Sequence, residues 1–177
     1  MKRSVDRILT THVGSLPRSQ AVTDVLFARE NGEPLPAGAT RTIADAVTDV
    51  VAKQVAVGVD IVSDGEMNKI SYSTYIKDRL SGFDGDTPRE PGQDLVEFPR
   101  LLQKLASGGA TARYRRPRCV SEIRVKDLEP LHEDLRNLAA AATAGAPTEA
   151  FMNAASPGTI ALFQPNDFYP TQDAYLE

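Results

Sequence analysis

The feature that most restricts the fold is an alternation of short β-branched runs, each stopping at glycine or a polar residue, with longer segments of helical periodicity. Arg7 to Val13 reads as a strand punctuated by Gly14. Pro17 suits the first turn of a helix running to about Glu30, ended by "NGEPLP". Thr40 is a cap candidate for a second helix, in which Ile43, Val47, Val50, Val51 and Val55 share a face and Gly58 marks the end. "VDIVSDGE" is a second strand with an acidic tip, followed by a helix from about Ser71 to Leu80. "RCVSEIRV" is a third strand candidate, and "DLEPLHEDLRNLAAAATAG" is a helix with Asp127 as its cap candidate and Gly145 at its end. "EAFMNAASPG" supplies a fourth strand that breaks at Pro157 and Gly158. Gly82 to Arg116 is a Gly-, Pro- and charge-rich excursion with a short helix expected near "FPRLLQKLA".

Strands that alternate with helices predict parallel βαβ units. The expectation is an α/β domain over residues 1–177 with about four parallel strands and intervening helices. Four such units make either a small open sheet or half of an eight-stranded (βα)8 barrel. A half-barrel leaves two strand edges and an apolar interior to be covered. No sequence repeat relates the first and second βα pairs, so self-completion has no support in the sequence.

With 177 residues and 41% apolar content the chain suffices for one domain that buries roughly 70% of its unfolded surface. A net charge of −4 gives no global attraction to polyanions. The one basic cluster, "RYRRPR" from Arg113 to Arg118, reads as a solvated loop before a strand, because nucleic-acid modules usually add aromatic platforms or a groove-fitting helix, so no nucleic-acid partner is expected. A single cysteine, Cys119, excludes an internal disulfide and suits a reducing compartment. No apolar run approaches the ~20 residues of a membrane helix, and the N-terminus lacks a signal-peptide core, so a cytoplasmic chain without membrane contact is expected.

Active groups of parallel α/β folds gather at the carboxyl ends of the strands. Here those tips hold Thr11, His12 and Ser15; Ser63, Asp64 and Glu66; Glu122 and Arg124; and Asn153 and Ser156. In "VGS", Gly14 would let the backbone approach a ligand, and free N–H groups near a helix start would favour a carboxylate or phosphate; an ordinary βα turn accounts for the same letters. Asp64 and Glu66 suit an ammonium group, a metal with further ligands, or capping of the next helix. His12 has no spaced partner and so forms no metal motif, while His132 lies mid-helix among surface residues. Cys119 reads as a buried, inert thiol. Walker, G-x-G-x-x-G, G-x-S-x-G, H-E-x-x-H and C-x-x-C motifs are all absent.

Three segments, "TTHVGSLPR", "VGVDIVSDGEMNKISYSTYIKDRLSGF" and "AFMNAASPGTIALFQPNDFYPTQDAYLE", together resemble the catalytic-domain family of cobalamin-independent methionine synthase, especially its short single-barrel relatives. The resemblance implies a (βα)8 barrel of which these residues form the N-terminal half. It implies a zinc-dependent methyltransferase of methionine biosynthesis that passes a methyl group from a methyl donor to a thiol such as homocysteine. Carried over by position, Val13, Gly14 and Ser15 correspond to the turn holding the amino acid's carboxylate, and Glu66 within "SDGE" to the residue facing its ammonium group. His12, where the family usually has threonine, becomes a specificity variant lining that turn, and Asp64 joins the substrate-binding set. The family's zinc ligands, a histidine and a cysteine close together, then a glutamate and another cysteine, lie in later strands, so no metal ligand and no catalytic residue is assigned to this chain. The expected partners are a thiol substrate, a methyl donor, and a complementary C-terminal half-barrel or a second copy. The alternative is a non-catalytic half-barrel that binds small molecules or regulates, and self-associates to hide its interior.

Overall fold

The computed structural model describes residues 2–71, 75–87, 93–107 and 116–177. Three chain segments run parallel. Thr11 bridges Ile61, and β1 (Ile61–Val62) pairs in parallel with β4 (Glu149–Ala150), Ile61 opposite Glu149 and Val62 opposite Ala150. The amides of Asp60 and Ile61 both donate to the Thr10 carbonyl at 3.1 Å, and Phe151 donates to Val62 at 3.0 Å, which fixes the order of the three segments. Asp60 ties their amino-terminal ends: its carboxylate accepts from the Arg7 guanidinium and, at 2.8 Å, from the Thr10 amide. Those two donors hold the Asp60 carboxyl well below the usual carboxylate range.

Helices pack on one side of this small sheet. α1 spans Gln20–Asn31, α2 Ala39–Ala56 and α5 Glu129–Gly145. The predicted stripe of α2 is the core: Val47, Val50 and Val51 cluster with Val62, Met67, Leu138 and Ala141, joining α2, α5 and β1. Ile43 belongs to a second cluster with Val22, Val25 and Leu26 of α1. Burial of side chains such as these stabilises the fold by about 1.5–3 kcal/mol each.

Several expectations are corrected. α1 begins at Gln20 with Ser19 as its cap, not at Pro17, because the Ser19 hydroxyl accepts from the Val22 amide at 3.3 Å. The "VGS" turn is therefore not at a helix N-terminus. Thr40 does not cap α2; Gly38 does so in a left-handed conformation with no side-chain bond. Gly145 remains helical, and Ala146 takes the left-handed C-terminal position at φ 47°. Asp127 does act at the start of α5, its carboxylate accepting from the Glu129 amide at 2.8 Å.

The third predicted strand is not part of the parallel sheet. β3 (Arg118–Cys119) pairs antiparallel with β2 (Phe83–Asp84), and Leu80 bridges Val125 in the same sense. Gly82 makes this pairing possible: a Cβ there would sit 2.8 Å from the Ser121 carbonyl. Among the described residues the sheet built on β1 thus has three parallel segments, and Cys119 instead makes an isolated parallel bridge to Asn166. From the predicted helix over 71–80 the described part is a single 3₁₀ turn, Tyr75–Asp78; residues 72–74 lie outside the described set. In the excursion, α3 (Gln93–Val96) precedes α4 (Pro99–Ser107) where a short helix was expected.

Of the arginine cluster, Arg113 and Arg115 lie outside the described residues. Arg116 donates to the Phe163 carbonyl at 2.7 Å and Arg118 pairs with Asp167, so these two tie the excursion to the C-terminal segment. That segment carries α6 (Pro157–Phe163) and α7 (Gln172–Leu176), with Ser156 capping α6 through the Thr159 amide at 3.2 Å. Among the described residues no helix is long and apolar enough to cross a membrane.

Candidate functional site

The loop after β1 is shaped by a buried frame of hydrogen bonds. Gln54 of α2, 5% exposed, accepts from the Ser63 amide at 3.1 Å and donates to the Ser63 carbonyl at 2.8 Å, so the backbone stays satisfied where the ladder ends. Gly65 and Glu66 then both adopt left-handed conformations, at φ 59° and 56°. Gly65 is required twice over, because a Cβ there would lie 3.2 Å from Leu16, Val50 and Met67 side-chain atoms.

Glu66 has no such freedom, and its conformation is held by its neighbours. One oxygen of Asp64 accepts the Glu66 amide at 3.0 Å and the other pairs with the Lys69 ammonium. The Asp64 and Lys69 side chains are 3% and 0% exposed. From the opposite side, the Arg18 guanidinium donates to the Glu66 carbonyl at 2.8 Å and to the Lys69 carbonyl at 2.7 Å. Burial depresses the Arg18 pKa, and the Glu66 and Asp64 carboxylates oppose that shift. Beneath the loop, Asn68 donates to Asp134 at 2.6 Å. Burial pushes the Asp134 carboxyl upward.

This frame presents the Glu66 carboxylate where the three parallel segments meet. One oxygen accepts from the Ser15 hydroxyl at 2.5 Å and the other from the Asn153 amide at 2.6 Å. Ser15 and Glu66 are thus brought together as their strand-tip positions predict. Asn153, also a tip residue, joins them as a direct partner of Glu66. Gly14 supplies the turn at φ 108°, and Val13 points outward at 64% exposed. The Leu16 amide is occupied by the Gly65 carbonyl at 3.0 Å, so that N–H is not open to a ligand. Asp64 is turned into the frame, and His12 lines a separate groove of about 870 Å³ against α2. Arg18 had no signal beyond its place after Leu16 and Pro17; its role appears only once residues 66 and 69 fold back over it.

The remaining tip residues do not join. Glu122 pairs with Arg124 on the surface, and Ser156 serves as a helix cap. Cys119 is buried beside β2, where loss of solvation raises its pKa and leaves it a poor thiolate. The described residues contain no group of three His, Cys, Asp or Glu side chains able to hold a metal ion. The described residues by themselves therefore do not fit zinc.

With this geometry, residues 8–90 match the family described as "Cobalamin-independent synthase, Catalytic domain". Over those residues the chain is similar to that family. The uncharacterized protein YxjH of Bacillus subtilis is 30% identical over 93% of this chain and 42% of its own length. The methionine synthase of Sulfolobus acidocaldarius is 23% identical over 97% of this chain and 44% of its own. In structure, the B12-independent methionine synthase from Shewanella sp. W3-18-1, solved in complex with selenomethionine, superposes with a TM-score of 0.62 at 20% identity, covering 94% of this chain and 43% of that one. The chain spans less than half the length of each of these relatives.

Proposed function

We propose that this chain is the N-terminal half of a methionine-synthase-like methyltransferase barrel and contributes the seat for the amino acid part of a thiol substrate such as homocysteine. The observation that carries it is the Glu66 carboxylate, whose two oxygens accept from neutral groups on two other segments, Ser15 and Asn153. A carboxylate oriented in this way, and not neutralised by either donor, attracts a ligand cation. The amino acid in the Shewanella complex offers an ammonium group of that kind.

Glu66 binds and orients the ammonium group, and Ser15 and Asn153 fix the carboxylate rotamer. The turn from Val13 to Ser15 lies beside it to take the substrate's carboxylate. Asp64, Lys69 and Arg18 hold the loop, so that the acid is pre-positioned and little ordering cost falls on binding. Zinc in this family supplies a deprotonated thiol nucleophile. Its ligands would come from the complementary half, together with the methyl donor's site.

The test is titration calorimetry on the chain assembled with its complementary half. Homocysteine should bind more tightly than 4-mercaptobutyrate, which lacks only the ammonium group. Glu66→Ala should cost about 2–5 kcal/mol for homocysteine and abolish that preference. Equal affinities for the two thiols in the wild-type assembly would overturn the assignment.

A further inference from the structure

We infer that Asn68 is a positioning residue for the Glu66 carboxylate and thereby sets the preference for a thiol that carries an ammonium group; this rests on the substrate reading above. The backbone explains why such a residue is needed. Glu66 lies at φ 56°, a conformation that costs free energy for any residue with a Cβ and persists only when its surroundings over-determine it. Asp64 and Arg18 grip the loop at its ends, through the Glu66 amide and the Glu66 and Lys69 carbonyls. Between those ends the Lys69 amide donates to the Glu66 carbonyl at 3.1 Å, closing a turn whose central residues are Met67 and Asn68.

The two central residues are held by different forces. Met67 packs into the core shared by α2 and α5. Asn68 is held by polar bonds at both ends of its amide. From α1, the Arg29 guanidinium donates to Asn68 Oδ1 at 2.8 Å; toward α5, Asn68 Nδ2 donates to Asp134 Oδ1 at 2.6 Å. A side-chain amide offers an acceptor and a donor at once, so it meets a cation on one side and a carboxyl on the other. Asn68 and Asp134 are 8% and 6% exposed, so both bonds are made away from bulk water, where a lost partner is not replaced.

This bridge ties the turn to the helical layer and not to another loop. α1 and α5 each pack on α2, through separate apolar clusters. Without Asn68 the turn keeps its ends, but Glu66 is freer to relax toward ordinary backbone angles. Its carboxylate would then leave the Ser15 hydroxyl and the Asn153 amide, which stand on other segments. A ligand ammonium would meet an acid that must be ordered on binding, whereas a thiol without that ammonium would lose nothing. A general weakening of the fold, by contrast, would act on both ligands alike.

The test reads conformation and preference separately. In the chain itself, the Cα and Cβ chemical shifts of Glu66 report its left-handed backbone and should move toward ordinary values in Asn68→Ala. In the assembled protein, calorimetry should show Asn68→Ala weakening homocysteine about tenfold while 4-mercaptobutyrate stays within about twofold of wild type. The exchange variant Asn68→Asp/Asp134→Asn keeps the net charge and reverses the donor and acceptor, so it should retain the wild-type shifts and preference; it carries the test if Asn68→Ala does not fold. Unchanged Glu66 shifts in Asn68→Ala, or equal losses for the two thiols, would overturn the positioning role and leave the seat standing. Loss of the preference in a folded exchange variant would overturn it as well. Equal affinities of the wild type for the two thiols would overturn the seat, and with it the preference assigned to Asn68.

Discussion

At the scale of single residues, the site depends on groups that never touch a ligand. Lys69 and Asp64 are almost fully buried, so removing one partner leaves an uncompensated charge. Lys69→Met is expected to cost about 3–5 kcal/mol in denaturant unfolding, and the Asp64→Asn/Lys69→Met double variant to recover most of it. Gly65→Ala meets both strain and crowding and should lose about 1–3 kcal/mol. Glu66 and Ser15 were legible in the sequence because they stand at strand tips. Arg18 and Lys69 were not, since a charged residue in a loop gives no sign that it will be enclosed.

At the scale of elements, helices were read more accurately than strands, for a physical reason. The α2 stripe extends over four turns and its period is unmistakable, whereas the described ladders are two residues long. "RCVSEIRV" has the composition of a strand in either orientation, and it pairs antiparallel with β2, where Gly82 admits the Ser121 carbonyl, and bridges Asn166 in parallel through Cys119. The side-chain cap at Asp127 was legible, whereas Ser19 was hidden behind Pro17, and Gly38 and Ala146, where the backbone acts alone, left no signal. Ser156→Ala should cost about 1 kcal/mol and raise hydrogen exchange in α6 while leaving α2 protected.

At the scale of the whole molecule, two carboxyls give stability opposite dependences on pH. Asp60 is shifted down by Arg7 and Thr10, so its contribution is present above the unfolded value near 3.9 and is lost as pH falls through the lower folded value. Asp134 is shifted up by burial, so its charge weakens the fold increasingly as pH rises from the unfolded value through the raised one. Asp134→Asn keeps an acceptor for Asn68, and should raise the melting temperature at pH 8 with the gain fading toward pH 3. A gain that is as large at pH 3 as at pH 8 would assign the effect to packing instead. The α/β class and the family resemblance were visible in the sequence, while the enclosure of His12 by a groove on α2 was not, because periodicity describes a helix but not its neighbours.

The convergence on Glu66 also has a kinetic consequence. Its hydrogen bonds to Ser15 and Asn153 close sequence separations of 51 and 87 residues, so the seat forms only after large loops have been closed. Substitutions at Asn153 should therefore speed unfolding and leave the folding rate almost unchanged. A nascent chain would acquire its helices well before it acquires any affinity for an amino acid.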